Sequence, residues 1–564
     1  MQRNPPLLLG EGGYGTVLSD GTSRAQKIQK PHRTDRGVSC NVLRELTCLV
    51  SINDPRTVPR VYKMGIDETA TVKFTMPRFA QTVLDLQRRF PDRVLPMSLT
   101  KAILRDVCLA LASAHARGII HRDIKPENVM VRRLSKHDMN DTARVIDWGL
   151  ARVATTRAPT QWTPNVTTLW YRAPEVLLNE PYNHAIDIWS LGVMAVELLT
   201  GRCIFRGSGS VECLRNIIQI LGPPPQGVFV RWDEWSRRLN LKTTVVSESS
   251  RTKTWTLGSA FRISNVAADF IDRCLRWTPS KRTTAHDALT HPYLATTTES
   301  LPTRTSLPFT KLVSTSRPSS IHVSAVSAQY NDSIFFRLVQ QLRLLEGVEW
   351  TAALLLGRCV QAGIEPTAEL AYTCLDVANK LVGTQHCDVL SRTHIKDARA
   401  ATAILLRDVL GLEYLDLYLS PLHELRQRSA ETKLFRYPEA QEKWMWVYAY
   451  ARAFVDVVLV VPPLGPRHLI PSPDVLARTA WTMATFVTGA VRIDGPREND
   501  GTVYHGSKCA VSCICRAWLV VTTERRSEKA VHWKRLHARV LSDQSRDEER
   551  QKRFLDLASA AARK

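Results

Sequence analysis

Three short strings constrain this chain more than anything else in it: His121-Arg122-Asp123-Ile124-Lys125-Pro126-Glu127-Asn128, then Asp147-Trp148-Gly149, then Trp170-Tyr171-Arg172-Ala173-Pro174-Glu175. As chemistry they offer a carboxylate, Asp123, to receive a hydroxyl proton, and a lysine, Lys125, to meet a transferring phosphate. They also offer Asn128 and Asp147 to hold a magnesium ion. Any one of these strings arises by chance. All three in this order, compactly spaced and preceded by a glycine loop and a well-placed lysine, point to a phosphotransferase site.

The glycine loop is Leu9-Gly10-Glu11-Gly12-Gly13-Tyr14-Gly15-Thr16-Val17, set between two apolar, strand-like runs and carrying G-x-G-x-x-G. Residues this small let backbone amides close over nucleotide phosphates, although a plain hairpin turn accounts for the same glycines. Lys27, on the next predicted strand, can reach the α and β phosphates or lie as a solvated surface lysine. Taken with the three strings, the segment resembles the catalytic core of a eukaryotic protein kinase. The resemblance implies a bilobal fold that uses ATP and Mg2+. Lys125, two residues past the proposed base Asp123, is the choice of serine/threonine kinases.

Within that group the resemblance narrows. Gly37 to Leu46 contains S-C-N-V-L-R-E, similar to the P-S-T-A-I-R-E regulatory helix of cyclin-dependent kinases, and makes Glu45 the ion-pair partner of Lys27. The absent proline and changed centre leave open which cyclin such a helix would accept. By the same resemblance, Pro77 and Phe79 meet the adenine through backbone groups, Pro77 by its carbonyl alone because it has no N–H. Thr163 falls at the activating phosphosite, with Arg44, Arg122 and Arg152 to clasp its phosphate. Arg172 and Thr167 resemble the pocket that selects proline after the target residue, and Thr168 the threonine that bonds the base and the catalytic lysine. Tyr14 sits where an inhibitory phosphate is placed, with Gly13 in place of the usual neighbouring threonine. Asp147-Trp148-Gly149 stands where D-F-G is usual, a change also typical of the casein kinase II family. Asp187 matches the structural aspartate of the C-lobe, and Glu175 with Arg282 its buried ion pair.

At 564 residues the chain is too long for one core. The expected fold class is multidomain α+β: a bilobal kinase fold over 1–294, a Ser/Thr/Pro-rich linker over 295–333, an all-helical cyclin-like domain over 334–520 and a charged helical tail over 521–564. From Ser98 to Arg117 the apolar spacing predicts a helix that positions the catalytic loop. As a flexible coil, the linker spans roughly 35 Å. Beyond it, helical runs are predicted at Phe335 to Leu345, Trp350 to Gln361, Thr367 to Val382, Ala398 to Leu410 and Tyr448 to Val461. A helical bundle of unspecified purpose is the plain reading of that half. Leu354 to Arg358, Cys374 to Lys380 and Ile404 to Leu425 resemble a cyclin fold, and Leu469 to Ser472 followed by Ala477 to Phe486 its second box, with Ala403 where cyclins carry the glutamate that pairs with the lysine matched by Lys380. His505, Cys509, Cys513 and Cys515 read either as zinc ligands or as buried thiols of a core helix. The tail reads as a solvated helix or a basic docking arm.

Hydrophobic residues make up 44% and no apolar run is long enough to cross a bilayer, so an intracellular protein of nucleus or cytoplasm is expected. The twelve scattered cysteines fit reduced thiols there. A net charge of +22 suits either a solvated basic surface or an acidic partner, nucleic acid included. The expected function is an ATP-dependent kinase of Ser/Thr-Pro sites, activated by its own cyclin-like domain, with an external cyclin also possible. The alternatives are a catalytically weak scaffold, or a kinase carried to chromatin by a nucleic-acid-binding C-terminal half. The intact set of Lys27, Glu45, Asp123, Asn128 and Asp147 argues against the scaffold.

Overall fold

The computed structural model describes residues 7–12, 15–19, 23–29, 38–52, 54–67, 71–131, 143–153, 169–239 and 262–295 of the first half; in the second half it describes 348–361, 364–365, 367–382, 438–460, 473–488, 528–538 and 540–542, with 338–339, 425, 514–515, 517–518 and 552. Two compact units emerge, the first comprising Met1–Lys30, Cys40–Gly65 and Val72–Leu312, the second mainly Val313–Lys564.

The first unit begins with β1 (Leu7–Gly12), β2 (Gly15–Ser19), β3 (Arg24–Gln29), α1 (Cys40–Ile52), β4 (Lys63–Ile66) and β5 (Val72–Pro77). The strands form one sheet in the order β1-β2-β3-β5-β4. In the β1–β2 hairpin Glu11 faces Thr16 and Gly12 faces Gly15. Gly15 approaches β3 so closely that an added Cβ would lie 2.2 Å from the Ile28 carbonyl oxygen. Lys27 pairs with Val17 on one side and Phe74 on the other. A slip of one residue would turn it to the opposite face of the sheet. Along α1, Val42, Leu43, Leu46, Leu49 and Ile52 are buried, and so are Arg44 and Glu45.

The larger lobe follows, with β6 (Gln81–Thr82), α2 (Val83–Gln87) and α3 (Met97–His115). Thr82 caps α2 by accepting the Asp85 N–H, which satisfies a donor the helix start would leave free. Ile103, Leu104, Val107, Cys108 and Leu111 make the buried stripe of α3, close to the span its periodicity predicts. Short strands β7 (Ile119–Ile120), β8 (Val129–Val131), β9 (Ala143–Val145) and β10 (Arg152–Val153) frame the loops that carry the three strings. Then come α4 (Pro174–Leu177), α5 (Ala185–Thr200), α6 (Ser210–Leu221), α7 (Trp232–Arg238), α8 (Asn265–Cys274) and α9 (Ala285–Leu289). α5 is buried along nearly its whole length and stops at Gly201, whose φ of +72° and 1.8 Å approach of any added Cβ to Asp92 O require glycine.

One ion pair ties this lobe together. Arg282 donates to both oxygens of Glu175 at 2.6 and 2.8 Å, to Ala185 O and to Arg276 O, and its guanidinium lies 5.0 Å from the Trp189 ring centroid. Both partners are essentially inaccessible to solvent.

In the second unit the described elements are all helical: α10 (Val348–Gln361), α11 (Ala368–Val382), α12 (Pro438–Val460), α13 (Pro473–Val487) and α14 (Glu528–Leu536). α12 starts ten residues before the predicted Tyr448, because Pro438 to Lys443 is a polar opening turn that apolar periodicity does not register. Its core contains Trp350, Tyr450, Phe454, Trp518 and Trp533, with Trp518 edge-on to both Phe454 and Trp533. The buried Asp456 accepts from Trp350 Nε1 at 3.0 Å and meets His537 Nε2 at 3.0 Å and Arg452 Nε at 3.3 Å. Burial alone would raise the Asp456 carboxyl, but these partners hold it below the usual range. Trp533 and His537 belong to the segment expected as a solvated tail; their burial corrects that expectation for α14, whose apolar face packs inward. Lys380 pairs within its own helix with Asp376 at 2.7 Å. Cys515 is buried, which pushes its thiol up to about 12, while His505, Cys509 and Cys513 lie outside the described residues. So do 296–333, Ala398 to Leu410, Ala403 and Leu469 to Ser472. Among the described residues no helix is long and apolar enough to cross a membrane, and no three metal-binding side chains cluster.

Replacing Glu175 by Ala leaves the Arg282 charge buried and unpaired. The first unit should lose about 3 to 5 kcal/mol of stability, read as a lower denaturant midpoint with an unchanged slope.

Candidate active site

Asp187, on the first turn of α5, positions the loop bearing the first string. It accepts the backbone N–H of His121 at 2.9 Å and of Arg122 at 2.8 Å, and His115 Nε2 lies 2.9 Å from the same carboxylate. Burial alone would raise its carboxyl, but the His115 hydrogen bond and charge, with the loop amides, hold it below the usual range. Arg122 is thereby kept at φ 75°, a left-handed conformation that a non-glycine residue adopts only when its surroundings impose it. The His121 ring bridges the next segment: Nε2 lies 3.0 Å from Ile146 O, and the Asp123 N–H donates to Nδ1 at 3.2 Å, which leaves Nε2 as the protonated nitrogen.

Asp123 is held on three sides. Lys125 Nζ lies 2.8 Å from Oδ2, and Asn128 Nδ2 donates to the same oxygen at 2.7 Å and to the Asp123 carbonyl at 2.9 Å. The Asn128 amide nitrogen is thus engaged, leaving its oxygen as a donor for a cation. With the Asp147 carboxylate it makes a hard oxygen set that suits magnesium, which takes one or two protein ligands beside phosphates and water. Asp147 is itself left-handed, at φ 61°. Behind it Trp148 is fully buried, donates Nε1–H to Val145 O at 3.1 Å and stands edge-on to His121 with centroids 4.5 Å apart. Gly149 lies against the start of α1, an added Cβ meeting Asn41 O at 3.3 Å.

Across the cleft Lys27 Nζ and Glu45 Oε1 are 2.5 Å apart, and Gln29 Nε2 donates to Glu45 Oε2. Burial raises the Glu45 carboxyl and the neighbouring Asp147 adds to this, against the opposing pull of Lys27. At the strand exit the Arg78 N–H donates to Ser23 O and the Ala80 N–H to Val131 O. Phe79 is therefore fixed between two anchored amides, one residue beyond Arg78 and two beyond Pro77. Of the glycine loop, Leu9, Gly10, Glu11, Gly12, Gly15, Thr16 and Val17 lie on the β1–β2 hairpin, whereas Gly13 and Tyr14 are outside the described residues.

Three arginines from three segments meet. Arg152 is pulled well below the usual guanidinium range, to about 8, first by burial and then by the cations Arg44 and Arg122. Tyr182 OH accepts from Arg122 at 3.1 Å. Arg172 lies within electrostatic reach of Asp123 and Arg122. Thr163, Thr167 and Thr168 fall outside the described residues. Two members of this neighbourhood were missed in the sequence. Gln29 carries a detectable signal, since two residues past Lys27 on a strand is the same face; Tyr182 carries none.

Residues 6–294 match the protein kinase domain family. The chain is similar to cyclin-dependent kinase B2-2 of Arabidopsis thaliana, with 32% identity over 321 residues, covering 53% of this chain and 93% of that protein. It is similar to cell division control protein 2 homolog 3 of Trypanosoma brucei brucei, with 31% identity over 51% of this chain and 90% of that protein. Cyclin-dependent kinase 4 of Xenopus laevis shares 29% identity over 52% of this chain and 91% of that protein.

Asp187→Asn should cost about 2 kcal/mol, the scale of hydrogen bonds to a charged group. Because the folded carboxyl titrates below its unfolded value of about 3.9, its stabilisation is complete above that pH and is lost as pH falls through the lower, folded value. Thermal melts from about pH 5 to pH 3 should therefore narrow the gap between wild type and variant.

Proposed function

The chain belongs to the protein kinase family and is a serine/threonine protein kinase, and on that premise we propose that it phosphorylates Ser or Thr followed by Pro in the manner of cyclin-dependent kinases. The observation that carries the reading is the closed Lys27–Glu45 pair, together with an Asp123 whose Oδ2 lies between Lys125 and Asn128.

In this reading Asp123 accepts and orients the substrate hydroxyl proton, and Lys125 steadies the transferring phosphoryl group. Magnesium, when bound, neutralises charge on the nucleotide phosphates, with Asn128 and Asp147 as its protein ligands. Lys27, fixed by Glu45, orients the α and β phosphates. Leu9 to Val17 cover them, and the backbone of Pro77 and Phe79 receives the adenine. By the resemblance Thr168, outside the described residues, would bond the base and the lysine. Arg172, beside Asp123, and Thr167 border the site for the residue after the target. Thr163 is the activating phosphosite: Arg152, Arg44 and Arg122 carry mutual repulsion that a phosphate dianion relieves. Tyr14 is a single inhibitory site, where a phosphate would repel those of ATP.

The helical second unit is proposed as a cyclin-like activator acting in cis. Tethering replaces free partner concentration with an effective concentration near millimolar. The regulatory string S-C-N-V-L-R-E, unlike that of the usual cyclin partners, favours a dedicated activator over an external cyclin. A basic total charge is compatible with acidic protein substrates.

The test is phosphate transfer from ATP to matched Ser-Pro and Ser-Ala peptides by the full chain with no cyclin added. Transfer to Ser-Pro alone supports the reading; equal transfer to both removes the proline preference. Asp123→Asn should lower turnover by about 100-fold or more while a nucleotide analogue binds as in wild type. Ending the chain near residue 300 should remove most activity, and residues 320–564 added in trans should restore it with rising concentration. A shortened chain as active as the whole would mean that the second unit is no activator.

A further inference from the structure

Alternation along β3 sets Lys27 and Gln29 on the same face of the sheet, and that face meets α1. The two side chains divide the Glu45 carboxylate between them: Lys27 Nζ lies 2.5 Å from Oε1 and Gln29 Nε2 donates to Oε2. Gln29 is 2% exposed and Glu45 5% exposed. The amide has one orientation, because turning it over would set its oxygen against an ionised carboxylate. In the orientation observed, Gln29 Oε1 is buried with no hydrogen-bond partner among the described residues. An aliphatic side chain would fill this interior without that cost. The amide contributes elsewhere, to the carboxylate it holds.

Lys27 alone is an insufficient anchor for Glu45. Its ammonium must also reach nucleotide phosphates, and a carboxylate gripped through one oxygen can still rotate. A neutral donor on the second oxygen does neither job for the nucleotide and stays in place whatever Lys27 contacts. We propose that Gln29 is a positioning residue, which by holding Oε2 of Glu45 keeps α1 turned inward and the Lys27–Glu45 pair closed. The contact lowers the cost of the closed arrangement that an activator completes.

The charged groups facing Glu45 are Lys27 of β3 and Asp147 beyond β9. On α1 itself, Cys48 is pushed up to about 12 by burial and stays neutral through the working range.

The proposal rests on phosphotransfer activity, which the wild-type full chain measures separately in the same assay. In Gln29→Leu, of similar volume and no donor, kcat for a protein substrate should fall about tenfold, as closed molecules become the minor population. The melting temperature should change little, since losing the buried orphan oxygen offsets withdrawing a donor from Glu45 Oε2. In Gln29→Glu the new carboxyl can replace the amide donor only when protonated. Its kcat should therefore be far below wild type at pH 8 and recover relative to wild type at pH 6. Wild-type kcat in Gln29→Leu, or a Gln29→Glu pH profile parallel to wild type, would overturn the assignment. If Gln29→Leu fails to fold, the pH profile of Gln29→Glu decides alone.

Discussion

The buried carboxylate of Asp187 is the joint on which the first unit turns. It stands at the start of a helix that is buried along most of its length, and it reaches out to the two backbone amides that immediately precede Asp123. A carboxylate in such a place is sustained only by donors on every side. His115 supplies one from α3 and the loop supplies the others. The result is that a rigid helix, not the loop's own preferences, sets where Asp123 points, and the left-handed Arg122 is a by-product of that grip. A site built this way keeps its geometry because its supports are packed.

Glu45 plays the corresponding part across the cleft, with opposite consequences. Its helix α1 meets β3 through the side chains of Lys27, Gln29 and Glu45. Asp147 adds repulsion to the desolvation that Glu45 already bears. A second donor on the carboxylate therefore changes how readily the pair closes. Trp148, anchored through its indole N–H to Val145 O and packed on His121, fixes the neighbouring segment in the same sense. Gly149 lets α1 approach that segment closely.

The cationic centre formed by Arg44, Arg122 and Arg152 works by repulsion. Burial and proximity depress Arg152 strongly. The second unit solves a different electrostatic problem at Asp456, where a tryptophan and a histidine distant in sequence join an arginine one turn away on the same helix, inside an aromatic core. That convergence draws α14 into the core and explains why charge content misrepresents it: Glu528, Lys529, Lys534 and Arg535 dominate the composition while Trp533 and His537 decide the packing.

By itself the sequence determined the chemistry of the first half. The strings around Asp123 and Asp147 are contiguous and offer the residue types that phosphoryl transfer needs, although Asp187, 65 and 66 positions away from Arg122 and His121, sets the shape of the first. The sequence likewise determined α3, whose 3.6-residue period is an interaction between near neighbours. Tertiary structure alone decided what depends on distance in sequence. Gln29 becomes a partner of Glu45 only when β3 and α1 pack, and Tyr182 meets Arg122 only when the loop before α5 folds back. His537 reaches Asp456 across 81 positions. Those contacts are set by how whole elements seat against one another, a property of summed packing that no local pattern of residues encodes.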